Sequence, residues 1–431
     1  MTADDRTTET NTVLDFMVRL AQAYLACGEQ TANVELILRR AASAYGMRRS
    51  RVVTFPTAIF ISLHDGENER VTIAEGPTQT LRLDQIADVY VLGEMAQRGD
   101  VAPGDGTRQL GEILRKSARF GIPGVVLGNT ILAIGVAMVL VPTPVNLAAA
   151  AILGAVVGIL KAFNRNRAVL AVPLPVVAAA LVSALVFLAV KYGLPVDPLH
   201  ALVPPLVTFL PGAMLTLGMV ELAYGDMVSG SSRIMTGIVQ LVLLAFGLAA
   251  GAALVGYRPE DMIVAASAIV APPWMPWIGV VVFGIGAFLH FSAPRNSFWW
   301  MLLVMLLAFA AQQVSIRVFG NEISGFFGML VATPLGYLIQ LRFAGPPAMV
   351  TFLPTFWLMV PGALGLLSIK QVLSERAAAL DGLITATFVF ASIALGTLMG
   401  VSLYKWLTER FGWWQLQIGR VGSYFRGSKK R

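Results

Sequence analysis

The chain has 431 residues, of which 56% are hydrophobic and 13% are charged, and its mean hydropathy is +0.71. So apolar a composition excludes a protein whose whole surface faces water, and it indicates a membrane protein. The net charge of +7 does not indicate nucleic acid as a partner, because the surplus lies beside the apolar segments, where topology and anionic lipid account for it.

Charged residues are concentrated in the first part of the chain. Residues 1–119 hold 14 of the 32 basic and 16 of the 25 acidic side chains. The first twelve residues are polar and acidic and lack the basic start and short apolar core of a signal peptide, so we expect this part to stay in the cytoplasm. The single cysteine, Cys27, excludes an intrachain disulfide and a cysteine-based metal cluster.

Helical and strand patterns alternate within this first part. Apolar residues at helical spacing predict two helices over residues 11–47, separated at Gly28. The buried face of the first helix is predicted to be Val13, Phe16, Met17, Leu20 and Tyr24. The stretches RVVTFPTAIFISL and RVTIAEG then predict a hairpin, and residues 83–99 return to helix. We therefore interpret residues 1–119 as one small cytoplasmic α+β domain.

Beyond residue 119 the apolar stretches become long enough to cross a bilayer, which takes about 20 helical residues each. Ten spans are predicted, with approximate limits 122–141, 144–162, 168–190, 199–221, 233–256, 274–291, 297–317, 323–341, 347–368 and 382–405. The fold predicted is thus a membrane α-helical protein with two five-helix halves. The first half covers 120–258, the second half covers 259–410, and a basic cytoplasmic tail follows over 411–431.

Basic residues in short loops predict the orientation. They precede the first span and follow the second, at Arg115, Lys116, Arg119, Lys161, Arg165 and Arg167. The tail after the last span is basic as well. Both termini are therefore predicted to be cytoplasmic, in a plasma (inner) membrane. In the second half, the basic residues are nearly equal in number in the inner and outer loops. The predicted orientation of that half therefore depends on counting spans.

The two membrane halves resemble each other in sequence. PPLVTFLP at 204–211 recurs as PPAMVTFLP at 346–354, and the pair Pro211–Gly212 has a counterpart in Pro361–Gly362. Each half also has a later pair of glycines four residues apart, Gly247 with Gly251 and Gly396 with Gly400. Because five is odd, two successive copies run antiparallel across the membrane. The sequence therefore predicts an inverted repeat, an arrangement that recurs among secondary transporters.

The proline-glycine pairs predict interrupted helices. Proline removes a backbone donor and obstructs the carbonyl a turn earlier, so each pair can leave polar backbone free inside a span. Such groups must line protein or a watery cavity, where they could hold the carboxylate and ammonium of a small zwitterion. A packing kink is the alternative. Polar side chains at membrane depth complete the predicted translocation site or are interhelical contacts: Asn129, Thr208 and Thr351.

Near the inner end of the fourth span and in its loop lie three charged residues, Glu221, Asp226 and Arg233. A desolvated carboxylate there could exchange protons, and so couple transport to a proton gradient or operate an inner gate. Alternatively, Asp226 and Arg233 form a solvated pair of little consequence. The three histidines, His64, His200 and His290, are too scattered in sequence to indicate a metal site, and each is interpreted as a loop or interfacial residue. No metal or cofactor is expected.

The order of these motifs resembles the threonine/serine exporter family. In the first domain the resemblance rests on CGEQTANVELILRRAASAYGM and RVVTFPTAIFISL, and in the membrane on TFLPGAMLTLGMVELAYGDMVSGSSRIMTG and LMVPGALGL. It implies ten membrane helices, a cytoplasmic N-terminal domain, and export of threonine and serine driven by the proton motive force. It also implies functional roles for the matching residues, Pro211, Gly212, Glu221, Asp226, Arg233, Pro361 and Gly362.

Two other classes of function are weighed against export. A passive channel or membrane scaffold with a regulatory N-terminal domain is the main alternative. An intramembrane enzyme has little support, because the chain has no HExxH, no GxSxG and no paired intramembrane aspartates, so no catalytic residue is predicted. The expected partners are amino acids, protons and the lipid bilayer, and a homo-oligomer is left open.

Overall fold

The computed structural model describes residues 3–47, 49–64, 69–77, 80–140, 142–164, 172–256, 272–320, 323–359 and 376–410. The chain divides into two compact units. The first unit combines Met1–Arg119 with Leu217–Thr236, and the second combines Phe120–Thr216 with Gly237–Arg431. Each unit is described separately below.

The first unit contains four helices and a small sheet in its N-terminal part. The helices are α1 (Ala3–Ala26), α2 (Thr31–Ala44), α3 (Leu83–Arg98) and α4 (Pro103–Arg115). The strands are β1 (Arg49–Phe55), β2 (Ala58–His64) and β3 (Glu69–Glu75), antiparallel in the order β1-β2-β3. The predicted hairpin is therefore wrong by one strand, because RVVTFPTAIFISL folds back on itself at Pro56 and Thr57. The helix α4 was not predicted.

The core of this part consists of side chains from α1 and from one face of the sheet, which are shielded from water. The predicted face of α1 is confirmed, because Val13, Phe16, Met17, Leu20 and Tyr24 are all buried. Alternation along β2 buries Ile59, Ile61 and Leu63, while Phe60 on the opposite face is exposed. This period of two is what a sheet with one covered face requires. The helices α1 and α2 separate at Gly28, which has a φ of 80° and takes the left-handed conformation that glycine favours.

The regular secondary structure of the second unit is all helical in its described residues. Its helices begin with α5 (Gly121–Leu140), α6 (Pro144–Asn164), α7 (Leu174–Lys191) and α8 (Pro198–Leu206). Two helices, α9 (Gly212–Ala223) and α10 (Met227–Leu254), run from one unit into the other. The remainder are α11 (Met275–His290), α12 (Phe298–Phe319), α13 (Ser324–Arg342), α14 (Ala348–Met359) and α15 (Arg376–Arg410).

Seven of the described helices are long and apolar enough to cross a membrane. The pair His200–Phe209 and Gly212–Ala223 adds an eighth if it counts as one broken span. A helix or helix pair overlaps each of the ten predicted spans, but α11 and α14 have only 16 and 12 described residues. The count of ten spans is therefore not confirmed, although the multi-pass helical class is.

Glycines bring α5 and α11 close together. A Cβ added at Gly135 on α5 would lie 2.4 Å from the backbone nitrogen of Phe283, and one added at Gly286 on α11 would lie 2.3 Å from that of Leu132. Real side chains do not approach backbone that closely, so any larger residue would push the helices apart. These contacts place the first helix of each predicted half against the other.

The two later glycine pairs make matching contacts. On α10, a Cβ at Gly247 would meet the carbonyl oxygen of Val176 on α7 at 2.5 Å. On α15, a Cβ at Gly396 would meet the carbonyl oxygen of Phe326 on α13 at 2.2 Å. In both predicted halves the fifth helix thus packs on the third through its glycines.

Candidate functional site

The fourth predicted span is broken at the predicted proline. The helix α8 passes into a 3₁₀ turn at Val207–Phe209, and α9 then starts at Gly212 with a bend of 60°. The first turn of α9 begins with Pro211, whose carbonyl accepts the N–H of Leu215 at 2.9 Å. The carbonyl of Phe209, displaced from helical pairing, accepts the side-chain amide of Gln240 at 3.0 Å. The interruption at Pro211–Gly212 is therefore confirmed.

A polar cluster lies beside this break, and Lys161 is at its centre. Its ammonium contacts the hydroxyl of Thr208 and lies 3.3 Å from Oδ1 of Asn129 and 3.4 Å from Nε2 of His290. It also lies 4.5 Å from the ring centroid of Phe209, a distance at which a cation is attracted to an aromatic face. We call Asn129, Lys161, Thr208 and His290 the lysine cluster.

Two neutral members of the lysine cluster, Asn129 and His290, are each held by a contact outside it. Asn129 is 1% exposed and donates its amide to the carbonyl of Gly154 at 2.9 Å, so its Oδ1 faces Lys161. His290 has its Nδ1 3.1 Å from the carbonyl of Val125. Since a carbonyl only accepts, Nδ1 carries the proton, and a neutral ring then presents Nε2 to Lys161 as an acceptor. Thus the three hydrogens of the ammonium meet three neutral acceptors.

No carboxylate of the described residues lies within ion-pair distance of Lys161. The lysine is half-buried among helices α5, α6, α11 and the 3₁₀ turn. Among the described residues, its ammonium therefore contacts only neutral dipoles and an aromatic ring. An arrangement of this kind favours the arrival of an anion.

The sequence predicted two members of this cluster and missed two. Asn129 and Thr208 were predicted, and the structure brings them together, with Thr208 Oγ1 3.4 Å from Asn129 Oδ1. Lys161 was used only to predict orientation, and the interpretation of His290 as a loop or interfacial residue did not include its contact with Lys161. The available signal was the position of Lys161 at the very end of a predicted span, since charges in membrane segments are seldom without function.

The second-half candidates do not join the lysine cluster. Thr351 is fully buried in α14 and donates its hydroxyl to the carbonyl of Ala348 in its own helix at 2.9 Å. This hydrogen bond stays within α14 and does not connect Thr351 to the lysine cluster. The pair Pro361–Gly362 lies outside the described residues.

A second polar cluster, within the first unit, contains Glu221 and Arg233. Glu221 Oε2 lies 2.9 Å from Arg233 Nε, and the two side chains are 1% and 11% exposed. The other carboxylate oxygen accepts the backbone N–H of Thr31 at 3.1 Å, at the start of α2. Arg233 also donates to the carbonyl of Glu29 at 2.8 Å. We call Glu221, Arg233, Thr31 and Glu29 the glutamate cluster.

Small residues form this cluster by bringing the end of α9 and the start of α10 together. A Cβ at Gly218 would lie 2.9 Å from the carbonyl oxygen of Gly230, and one at Gly230 would lie 2.6 Å from that of Gly218. This approach places the side chains of Glu221 and Arg233 side by side. The positive end of α2 adds to the arginine in offsetting the cost of burying the carboxylate.

Asp226 has a different environment from Glu221. It is half-exposed and precedes α10, whose first helical bond runs from the N–H of Gly230 to the Asp226 carbonyl at 2.9 Å. The alternative that paired Asp226 with Arg233 is wrong, because Arg233 pairs with Glu221. Asp226 instead acts on Glu35 of α2. Burial raises the pKa of Glu35, its contacts with Thr54 and Arg39 lower it, and the charge of Asp226 raises it.

No metal or cofactor chemistry is indicated for either cluster. Within the described part of the chain, no three histidine, cysteine or acidic side chains are grouped so that they could hold a metal ion. Of the other histidines, His200 pairs with Asp197 at 2.6 Å, and His64 ends β2.

A multi-pass helical protein with a broken span and a polar cluster beside the break belongs to the class of membrane transport proteins. The family model described as "Putative threonine/serine exporter" matches residues 15–255. The chain belongs to this family. It is a membrane transporter that exports amino acids, and the family is one of transporters rather than enzymes.

Two relatives show how far the similarity extends. A "Probable threonine/serine exporter" of Mycobacterium tuberculosis is 26% identical over 445 residues, covering 97% of this chain and 80% of that protein. A "Pheromone-regulated membrane protein 10" of Kluyveromyces lactis is 27% identical over 203 residues, covering 46% of this chain and 21% of that protein. No solved structure matches the chain.

Proposed function

We propose that the chain exports threonine and serine across the plasma (inner) membrane and that the proton motive force drives this export. The observation that carries the proposal is the break between the 3₁₀ turn Val207–Phe209 and α9, with polar side chains beside it. Backbone freed from helical pairing and neutral hydroxyl and amide groups suit a small polar zwitterion.

In this proposal the amino acid binds at the break in the first half. Asn129 and Thr208 supply the polar side chains, and Pro211–Gly212 opens the backbone. The N-terminal end of α9 favours the negative end of the solute. Thr351 and the pair Pro361–Gly362 would be the corresponding contribution of the second half, and these three stay predictions from the sequence.

Protons enter the proposed cycle at Glu221. Adding a proton to its carboxylate removes the negative charge that holds Arg233 and the N–H of Thr31. The turn between α9 and α10 would then be released, so that one proton and one movement are linked. Asp226, at the start of α10, supplies a second negative charge near this turn. The three residues Glu221, Asp226 and Arg233 thus act as coupling site and inner gate together.

We further propose ten spans in two five-helix repeats of inverted topology, with both termini in the cytoplasm. The matched packing of α10 on α7 and of α15 on α13 supports this arrangement. The shorter apolar helices α11 and α14 would be the sixth and ninth spans. A cysteine scan of the predicted loops, with an impermeant thiol reagent on intact cells, tests it. Loops labelled on the wrong side from the sixth span onward would contradict inversion.

Transport into inverted membrane vesicles tests the proposed function. Labelled L-threonine should accumulate saturably when a proton gradient is imposed, unlabelled L-serine should compete, and a protonophore should abolish the accumulation. The passive-channel alternative predicts flux that does not saturate and that ignores the gradient. Vesicles without the protein provide the background for both outcomes.

A further inference from the structure

We propose that Lys161 binds the carboxylate of the exported amino acid. This inference rests on the proposed function, because it assigns a ligand to the same break in the fourth span. It starts from a chemical imbalance in the lysine cluster. The cluster contains one cation and three neutral groups, and no anion among the described residues pairs with that cation.

The geometry of the ammonium suits exchange of one partner for a carboxylate oxygen. Its present contacts to Asn129 and His290 are long, at 3.3 and 3.4 Å, whereas a charge-assisted bond to a carboxylate shortens to about 2.8 Å. A carboxylate that displaced one neutral acceptor would therefore form a shorter and stronger contact. As a whole residue, Lys161 is half-buried and not fully enclosed.

The surroundings of Lys161 favour recognition over a purely structural role. His290 directs Nε2 at the lysine because Val125 binds its other nitrogen, and Asn129 directs Oδ1 because Gly154 binds its amide. The side chain is thus positioned by groups that are themselves fixed. Thr208, directly before the break, is then the residue through which a ligand on Lys161 would reach the opened backbone.

Competition measurements on the reconstituted full chain test this inference. In wild type, excess L-threonine should inhibit labelled L-threonine transport, and L-threoninamide, which lacks the carboxylate, should inhibit far less. Lys161→Gln should raise the KM for L-threonine at least about tenfold, the value of one charge-assisted contact, and should abolish discrimination between acid and amide. Lys161→Arg should restore part of the discrimination.

Lys191→Gln is the matched control. Lys191 also ends a membrane helix, α7, but it is exposed and donates to the carbonyl of Val255 at 3.0 Å. This variant should keep the wild-type KM and the wild-type preference for acid over amide. An unchanged KM and unchanged preference in Lys161→Gln, beside normal wild-type transport, would overturn the assignment while leaving the proposed function intact.

Chemical protection separates failure of the inference from failure of the proposed function. Purified full-length protein is treated with an amine-acylating reagent, and modification of Lys161 is followed by peptide mass spectrometry. L-Threonine, and not its amide, should slow acylation of Lys161 and leave Lys191 unaffected. If vesicles fail to transport threonine but another amino acid protects Lys161, the substrate proposal fails and the carboxylate site stands. No protection by any amino acid in a panel would overturn the site.

Discussion

Two charged side chains illustrate opposite solutions to burial, and only one of them has an opposite charge beside it. Glu221 meets Arg233 at 2.9 Å and the N-terminus of α2 at 3.1 Å. Lys161 meets an amide, a hydroxyl, an imidazole and an aromatic ring, all neutral. A compensated charge holds its own structure together, whereas an uncompensated one attracts a counter-ion from outside. This difference is the basis for our proposals that the glutamate cluster acts in gating and the lysine cluster in binding.

The largest effect is expected from Glu221→Ala. Removing one partner leaves Arg233 buried without compensation, which costs about 3–5 kcal/mol for such pairs. The first unit should then open more often, and alkylation of the Cys27 thiol measures this opening. Cys27 is the only cysteine, it is buried, and burial with the nearby charge of Glu29 raises the pKa of its thiol. Its alkylation should become at least about 100-fold faster.

Two further variants make the Glu221 experiment specific. Glu112→Ala, on the exposed face of α4, should leave Cys27 alkylation at the wild-type rate. The double variant Glu221→Met with Arg233→Met removes both charges and should recover most of the lost protection, because an apolar pair can replace an ion pair. Wild-type alkylation in Glu221→Ala would show that the pair does not hold the unit.

At Lys161 we expect a substitution to change the stability in the opposite direction. Lys161→Met removes a charge that has no counter-ion among the described residues, and the Thr208 hydroxyl can still donate to Asn129 Oδ1, so the melting temperature should stay unchanged or rise. Six of the eight tryptophans lie between residues 274 and 406, in or next to the helices of the second half, so their fluorescence follows unfolding of the membrane helices. A melting temperature several degrees below wild type would mean that Lys161 holds structure as Glu221 does, and the comparison would collapse.

A smaller effect is expected at Thr208. Thr208→Val keeps the shape of the side chain but removes the hydroxyl that contacts Lys161 and Asn129. The KM for L-threonine should rise by about three- to tenfold, the value of one ordinary hydrogen bond. Thr130→Val is the control, since the Thr130 hydroxyl donates to Val126 within α5 at 2.9 Å and the variant should transport normally. Equal KM values for the two variants would remove Thr208 from the site.

The smallest effect is a change in pH dependence at Asp226. The pKa of Glu35 is raised in the folded state, so its contribution to stability falls as the pH rises above about 4.5, its ordinary value. Asp226→Asn removes one cause of that raised pKa. The measured quantity is the Cys27 alkylation rate divided by the rate of a denatured control at the same pH. Between pH 4 and pH 7 this ratio should therefore rise less steeply in Asp226→Asn than in wild type. An identical slope would separate Asp226 from Glu35.

Local sequence predicted the break in the first half, but nearly the same motif lies inside a continuous helix in the second. PPLVTFLP and PPAMVTFLP are nearly the same, yet α8 ends before Pro211, whereas α14 continues through Pro354 to Met359. A proline can end a helix or be accommodated within it, and the neighbours decide. At the first site the side-chain amide of Gln240 donates to the freed carbonyl of Phe209. Nothing in the eight residues PPLVTFLP specifies Gln240 as that donor.

Contacts between distant parts of the chain explain what sequence reasoning missed. His290 is 129 residues from Lys161, and Thr31 is 190 residues from Glu221. Their meeting depends on glycines that allow α5 to approach α11, and α9 to approach α10. Periodicity and composition predict single helices and their apolar faces. They do not predict which polar groups two such helices bring together.

The most direct test measures the distance between the bound substrate and the lysine. Solid-state NMR dipolar recoupling, on bilayers with L-threonine labelled with ¹³C at the carboxyl and protein labelled with ¹⁵N at lysine side chains, gives this distance. We predict that the threonine carboxyl carbon lies within about 4 Å of one lysine nitrogen. The dipolar coupling between these two atoms should be lost in Lys161→Gln but not in Lys191→Gln. Bound threonine with no lysine nitrogen nearby, or a signal that survives in Lys161→Gln, would contradict it.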